Sequence, residues 1–201
     1  MTERVESVAE PGAGVAGRLV ADGRVLIAGV GNIFLGDDGF GIETVRRLGA
    51  QELPERVEVV DFGVRGVHLA YQLLDGYRTL VLVDATARGG VPGTVYLIDA
   101  TSGPVEQVDP VAAAVLDGHR MGPDAVLGLL AALAAGTGGS PPERVLVVGC
   151  EPASLEEGIG LSAPVAAAVD EAVAVIRCLL AESDPSGRPV AHRAQRKASS
   201  C

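Results

Sequence analysis

The chain has 201 residues with 16 Lys and Arg against 26 Asp and Glu, a formal net charge of −10. That length suits one domain with a substantial core, and hydrophobic residues at 48% beside charged residues at 21% are the balance of a soluble globular protein. The acidity repels phosphate backbones, and aromatics at 3% with no Trp leave little to stack bases on, so both argue against nucleic-acid binding.

Residues 1–22 read as a flexible N-terminal extension. They carry Glu3, Glu6 and Glu10 and lack the basic start and apolar stretch of a secretory signal. Residues 24–31 are a short apolar run ending in glycines, the pattern of a strand buried on both faces. Residues 39–48 place Ile42, Val45 and Leu48 on one face, an amphipathic helix. A strand at 57–61, a short helix at 67–74 and a wholly apolar strand at 79–84 follow. Residues 93–98 are strand-like, and the preceding Pro92 suggests a sheet edge. An irregular stretch at 99–121 leads to a helix at 125–135, a Gly- and Pro-rich loop and a strand at 144–149. The last helix has Ser162 as N-cap and Pro164 in its first turn, with Val165, Val169, Ala172, Ile176 and Leu179 as its buried stripe. Residues 182–201 form a flexible basic tail, where Arg188, Arg193, Arg196 and Lys197 outnumber the acids.

Strands alternating with helices predict a three-layer α/β/α sandwich over residues 23–181, with a mostly parallel twisted sheet of about five strands and helices on both faces. Ligands of such sheets bind outside the carboxyl ends of the strands. Asp61, Asp84 and Cys150 sit at those ends, and the loop at 31–38 leaves the same edge. Cys150, Cys178 and Cys201 show no paired spacing, which fits a reducing cytosol. No apolar run approaches the roughly 20 residues that span a bilayer, so no membrane association is expected.

Three constellations could carry chemistry. The Gly29-x-Gly31 turn lacks the third glycine of a dinucleotide fingerprint, since that position is Phe34, and no Gly-Lys-Ser/Thr follows for a phosphate loop. What remains is a turn that delivers Asp37 and Asp38 to a helix start. One aspartate suffices as a cap, and the second is free to act as ligand or base. Asp84 ends an apolar strand, a costly place for a carboxylate unless it is paired, capped or bound to a cation. His119 lies in a loop and is the only one of three histidines well placed to join two carboxylates. An imidazole with two carboxylates suits a borderline divalent metal such as zinc or nickel. Cys150 with His119 is a further option as a thiol nucleophile.

Five segments, in order, resemble the nickel-iron hydrogenase maturation proteases. They are GVGNIFLGDDGFGI at 29–42, VDFGVRG at 60–66, LVDA at 82–85 with PGT at 92–94, HRMGPDAVL at 119–127 and VGCEPASLEEGIGLS at 148–162. Together they span about residues 24–180. The resemblance implies a cytoplasmic endopeptidase that removes a C-terminal extension from the hydrogenase large-subunit precursor after nickel insertion. It implies that Asp38, Asp84 and His119 contact the metal; in an aspartyl-type peptidase of this kind Asp38 or Asp84 is expected to be the general base, with the nickel or His119 assisting. The nickel is implied to be supplied by the substrate, where precursor thiolates hold it, although a surrogate divalent metal can occupy the site. Some members carry Glu where this chain has Asp38, whose reach is shorter by roughly one C–C bond. The same ligands would also serve a non-cleaving, nickel-checking chaperone. A Rossmann-type nucleotide binder and a self-contained metallohydrolase are the remaining alternatives. The expected state is a monomer whose partner is the large-subunit precursor.

Overall fold

The computed structural model describes residues 5–7, 23–101 and 141–181. Six strands, β1 Val5–Ser7, β2 Arg24–Val30, β3 Val57–Gly63, β4 Tyr77–Ala85, β5 Val95–Asp99 and β6 Arg144–Cys150, form one sheet in the order β1-β5-β6-β4-β2-β3. The strands β2, β3, β4 and β6 run parallel, while β5 is antiparallel to both β6 and β1. Three helices are described: α1 Phe40–Gly49, α2 Gly66–Leu73 and α3 Ala163–Ala181. A 3-10 turn at Gly36–Gly39 leads into α1.

Both faces of the central strands are apolar, and side chains leave them in alternation. Val25, Ile27, Val81 and Val83 join Phe40, Val45 and Leu48 of α1 and the whole predicted stripe of α3, from Val165 to Leu179, in one buried cluster. Leu26, Ala28, Leu80 and Leu82 face the other way, onto Leu69, Ala70 and Leu73 of α2. Burial on two faces is why these strands read as continuous apolar runs rather than alternating ones. The layering is therefore the predicted α/β/α sandwich.

Two expectations about the sheet change. The strand at residues 95–99 is not an edge, because Val5–Ser7 pairs along its outer side. Pro92 lies in the loop before β5, where its missing N–H removes no ladder bond. The same pairing adds a sixth strand from within the segment read as a flexible extension. His119, the helix expected at 125–135 and the tail at 182–201 lie outside the described residues.

The connection through α1 carries the chain from β2 to β3 on one side, and the connection through α2 carries it back past β2 to β4 on the other. The chain thus reverses direction between β2 and β4, and the carboxyl ends at such a point are where open α/β sheets bind ligands. The start of α1 lies directly against this point. A Cβ on Gly41 would stand 2.2 Å from the Val83 carbonyl oxygen and 2.4 Å from that of Val30, so a side chain there would push the helix off both strands. Gly41→Ala is expected to cost about 3 kcal/mol or to prevent folding. Gly49→Ala, whose Cβ meets nothing within 4 Å, is expected to be neutral or slightly stabilising, and urea titration of the pair checks both.

Candidate active site

The site is built on the exit from β2 and the end of β4. At Gly31 the backbone takes φ +126°, and a Cβ there would fall 1.9 Å from the Asp38 carbonyl oxygen. Only glycine lets the loop close over itself at this point. The Asn32 N–H donates to Asp38 Oδ2 at 2.6 Å, and Asn32 Oδ1 accepts the Phe34 N–H at 3.0 Å. These bonds fold the Asp38 carboxylate back over the β2 exit. On the adjacent strand Asp84 follows Val83, which pairs with Gly29 of β2, and lies opposite Gly149 of β6. Asp38 and Asp84 are thus close enough for the charge of one to act on the other.

The two carboxyl groups repel. Asp84 is partly buried, and this burial, with the negative charge of Asp38 second, pushes its pKa from 3.8 up to about 7. A backbone hydrogen bond from Ala85 acts in the opposite direction and does not offset the two.

Asp37 and Asp38 are adjacent but have different environments. Asp37 is buried, and its Oδ2 accepts the N–H groups of Ala153 at 2.8 Å and Ser154 at 3.1 Å and the Ser162 hydroxyl at 2.9 Å. Its Oδ1 accepts the Ser162 N–H at 2.6 Å. Burial pushes the Asp37 pKa up, but these bonds together outweigh it and hold the carboxyl below the ordinary value. Asp37 therefore ties the loop after β2 to the loop after β6. The Gly36 N–H to the Gly158 carbonyl and the Gly158 N–H to the Phe34 carbonyl add two backbone bonds between the same loops.

Glu151 is a residue the sequence left inside a polar loop. It is buried, and its carboxylate accepts the N–H groups of Arg88 at 2.8 Å and Gly89 at 3.0 Å and the Tyr96 hydroxyl at 2.8 Å. It anchors the loop that begins just after Asp84. The available signal was its position, an acid directly after an apolar strand, the same one that singled out Asp84.

Two other candidates are structural. Cys150 is fully buried, and burial above all pushes its thiol pKa up to about 12. It is a neutral thiol at physiological pH, which removes it as a nucleophile. Asp61 is paired with Arg46 at 3.3 Å. Among the described residues no three His, Cys, Asp or Glu side chains cluster as a metal site. The acidic pair still fits a divalent cation, which would relieve its repulsion while leaving coordination positions for other donors.

Fold and site define a doubly wound α/β protein with an acidic pair at the carboxyl edge of its sheet. A model of the hydrogenase maturation proteases matches residues 42–178. The chain is 34% identical over 160 residues to the hydrogenase expression/formation protein HupD of Rhizobium leguminosarum bv. viciae, covering 77% of this chain and 74% of that protein. It is 29% identical over 167 residues to the hydrogenase 2 maturation protease of Escherichia coli, covering 83% of this chain and 96% of that protein. The solved structure of the hydrogenase maturating endopeptidase HybD from E. coli matches with a TM-score of 0.61 at 32% identity, over 80% of this chain and 93% of that one. This chain belongs to the hydrogenase maturation protease family, and it is a peptidase.

The Asp84 shift has a consequence for stability. The unfolded chain ionises this group near 3.8 and the folded protein near 7, so the folded state holds the extra proton between those values and stability falls as pH rises through them. Asn cannot ionise. Asp84→Asn is expected to match the wild type below about pH 4 and to exceed it by about 1–3 kcal/mol above about pH 7. Urea titration across pH checks this, and a variant less stable than wild type at about pH 8 contradicts it. Asp37→Ala, which strips four hydrogen bonds, is expected to lose about 2–4 kcal/mol in the same assay at neutral pH.

Proposed function

We propose that this peptidase removes the C-terminal extension of a nickel-iron hydrogenase large-subunit precursor after nickel insertion. It recognises the substrate-bound nickel through Asp38, Asp84 and His119, acting as a monomer in the cytoplasm. The observation that supports this reading is the nearness of Asp38 and Asp84 at the switch point between β2 and β4, where the Asp38 charge adds to burial in raising the Asp84 pKa. Membership of the maturation protease family supports the substrate class. Among the described residues no helix is long and apolar enough to cross a membrane.

Peptide hydrolysis needs an activated water, a polarised carbonyl and a proton for the leaving amine. The nickel arrives with the precursor, held by its cysteine thiolates, and supplies a positive charge beside the scissile segment. One of Asp38 and Asp84 accepts the proton of the attacking water, and the proton then passes to the amine nitrogen as the C–N bond breaks. A few oxygen donors and one imidazole suit a metal check, since they contact the ion without removing it from stronger thiolate ligands. Gating follows directly: without the cation the two carboxylates repel, and binding the precursor gains nothing from them.

Intact mass of a cognate precursor after incubation with this protein tests the reading. Loss of a C-terminal peptide is expected only from the nickel-loaded form, and Asp84→Asn is expected to slow that loss by about 100-fold or more. Equal processing of nickel-free precursor overturns the metal check. Unchanged mass with stable co-purification supports the non-cleaving chaperone instead.

A further inference from the structure

The loops that frame the acidic pair carry large apolar side chains directed at solvent. Phe34 is 61% exposed and Ile159 85% exposed, and Ile33 and Leu155 are exposed beside them. Phe34 is one of only three Phe in the chain. The two loops are joined by the backbone bonds from Gly158 to Phe34 and from Gly36 to Gly158 and by the parallel bridge between Leu35 and Gly158, which together bring Phe34 and Ile159 side by side. Asp37 locks the pair of loops from beneath, so the apolar groups are held out by a fixed frame. The surface is also continuous with the site. The chain runs from Ile33 and Phe34 through the 3-10 turn directly to Asp38.

We infer that this apolar ridge, Ile33 and Phe34 with Leu155 and Ile159, is the surface on which the precursor docks, receiving an apolar segment next to the metal-bearing part of that protein. The inference rests on the proposed function and adds to it the place where affinity independent of the metal resides. Three observations select this occupant. The ridge borders the carboxylates that any substrate must reach. Its preorganisation removes the ordering cost that a flexible loop would impose on binding. Exposed Glu156 and Glu157 directly follow Leu155 and put negative charge beside the apolar groups, which complements a partner presenting a cation next to apolar residues and disfavours a second copy of this acidic chain. Contiguous apolar side chains rimmed by polar ones mark protein-binding sites, and a few such anchors carry most of the affinity.

The test uses the full-length protein and measures binding and cleavage separately. The double variant Phe34→Ser with Ile159→Ser is compared with Tyr71→Ser, which alters an exposed side chain on α2 outside these loops. In the Asp84→Asn background, titration with nickel-loaded and with nickel-free precursor reads affinity without turnover. The ridge variant is expected to bind both forms about tenfold more weakly or worse, with an unchanged melting temperature, while Tyr71→Ser binds normally. In the otherwise wild-type protein the ridge variant is expected to raise KM with kcat preserved. Equal affinity of the ridge and Tyr71 variants overturns the inference. So does a shift in sedimentation from dimer to monomer on substitution, which would assign the ridge to a second copy. Binding that depends on the ridge without any cleavage by wild type keeps the docking surface and discards the protease reading, and absence of binding by every form discards both.

Discussion

Much of the site depends on a single buried carboxylate that takes no part in the proposed chemistry. Asp37 accepts four hydrogen bonds from Ala153, Ser154 and Ser162. Its donors lie on the far side of the sequence, so it joins the segment after β2 to the segment between β6 and α3. The loop that leads to Asp38 is thereby fixed at both ends, at Gly31 against the sheet and at Asp37 against the second loop. Charge-assisted bonds of this kind are about twice as strong as neutral ones, and here they act where backbone N–H groups before a helix would otherwise lack partners. Glu151 repeats the device on the other flank, gathering the Arg88 and Gly89 N–H groups and the Tyr96 hydroxyl. The two clamps leave Asp84 between immobilised loops.

That rigidity matters because the acidic pair is unfavourable in the folded protein by itself. Asp84 is partly buried beside a second carboxylate, and both effects disfavour its charged form. A flexible loop would relax and let the groups separate or reach solvent. Fixed loops keep them near each other, so the raised Asp84 pKa is built into the fold. A site with this property responds to the charge of what enters it. It sacrifices some stability of the free protein, a pattern common to sites where function and folding make opposite demands.

The sheet was legible because its signals are local. Strands buried on both faces must be apolar throughout, and residues 24–31, 79–84 and 144–149 show this directly. The stripe of α3 was legible for the same reason. β1 was not, because Val5–Ser7 is three residues in a polar segment, and its place in the sheet depends on pairing with residues 96–98, far away in sequence. Pro92 made β5 look like an edge, and the partner that covers it stands too far away in sequence to be read. At the site, the residue types and their positions pointed to Asp38 and Asp84, but the different surroundings of Asp37 and Asp38 could not be read from adjacent identical side chains. Those of Asp37 are set by partners 116 and 125 positions away. Glu151 was missed on the same ground, its partners standing 55, 62 and 63 positions back in the chain. Cys150 shows the converse: its position suggested chemistry, and the density of its surroundings, which keeps the thiol protonated, removes it.

These contrasts separate two kinds of acid at one sheet edge. Asp37 and Glu151 are buried and surrounded by donors, so their negative charge is already neutralised by oriented N–H and O–H dipoles and stays ionised. Asp84 is partly buried, and its pKa moves the opposite way, because burial and a neighbouring carboxylate outweigh the one backbone hydrogen bond from Ala85 that acts against them. Burial alone therefore does not distinguish a structural acid from a reactive one. The deciding quantity is whether the fold supplies enough positive dipole to balance the charge. Where it does, the acid holds loops together. Where it does not, the acid is held closer to its neutral form, and in the proposed function the substrate's cation supplies the balancing charge. The apolar ridge on the same loops then acquires a physical rationale. In the proposed function two carboxylates test for a cation but bring little apolar area to hold the large protein that carries it, and the inferred docking ridge at Phe34 and Ile159 would supply that area on the frame that Asp37 holds together.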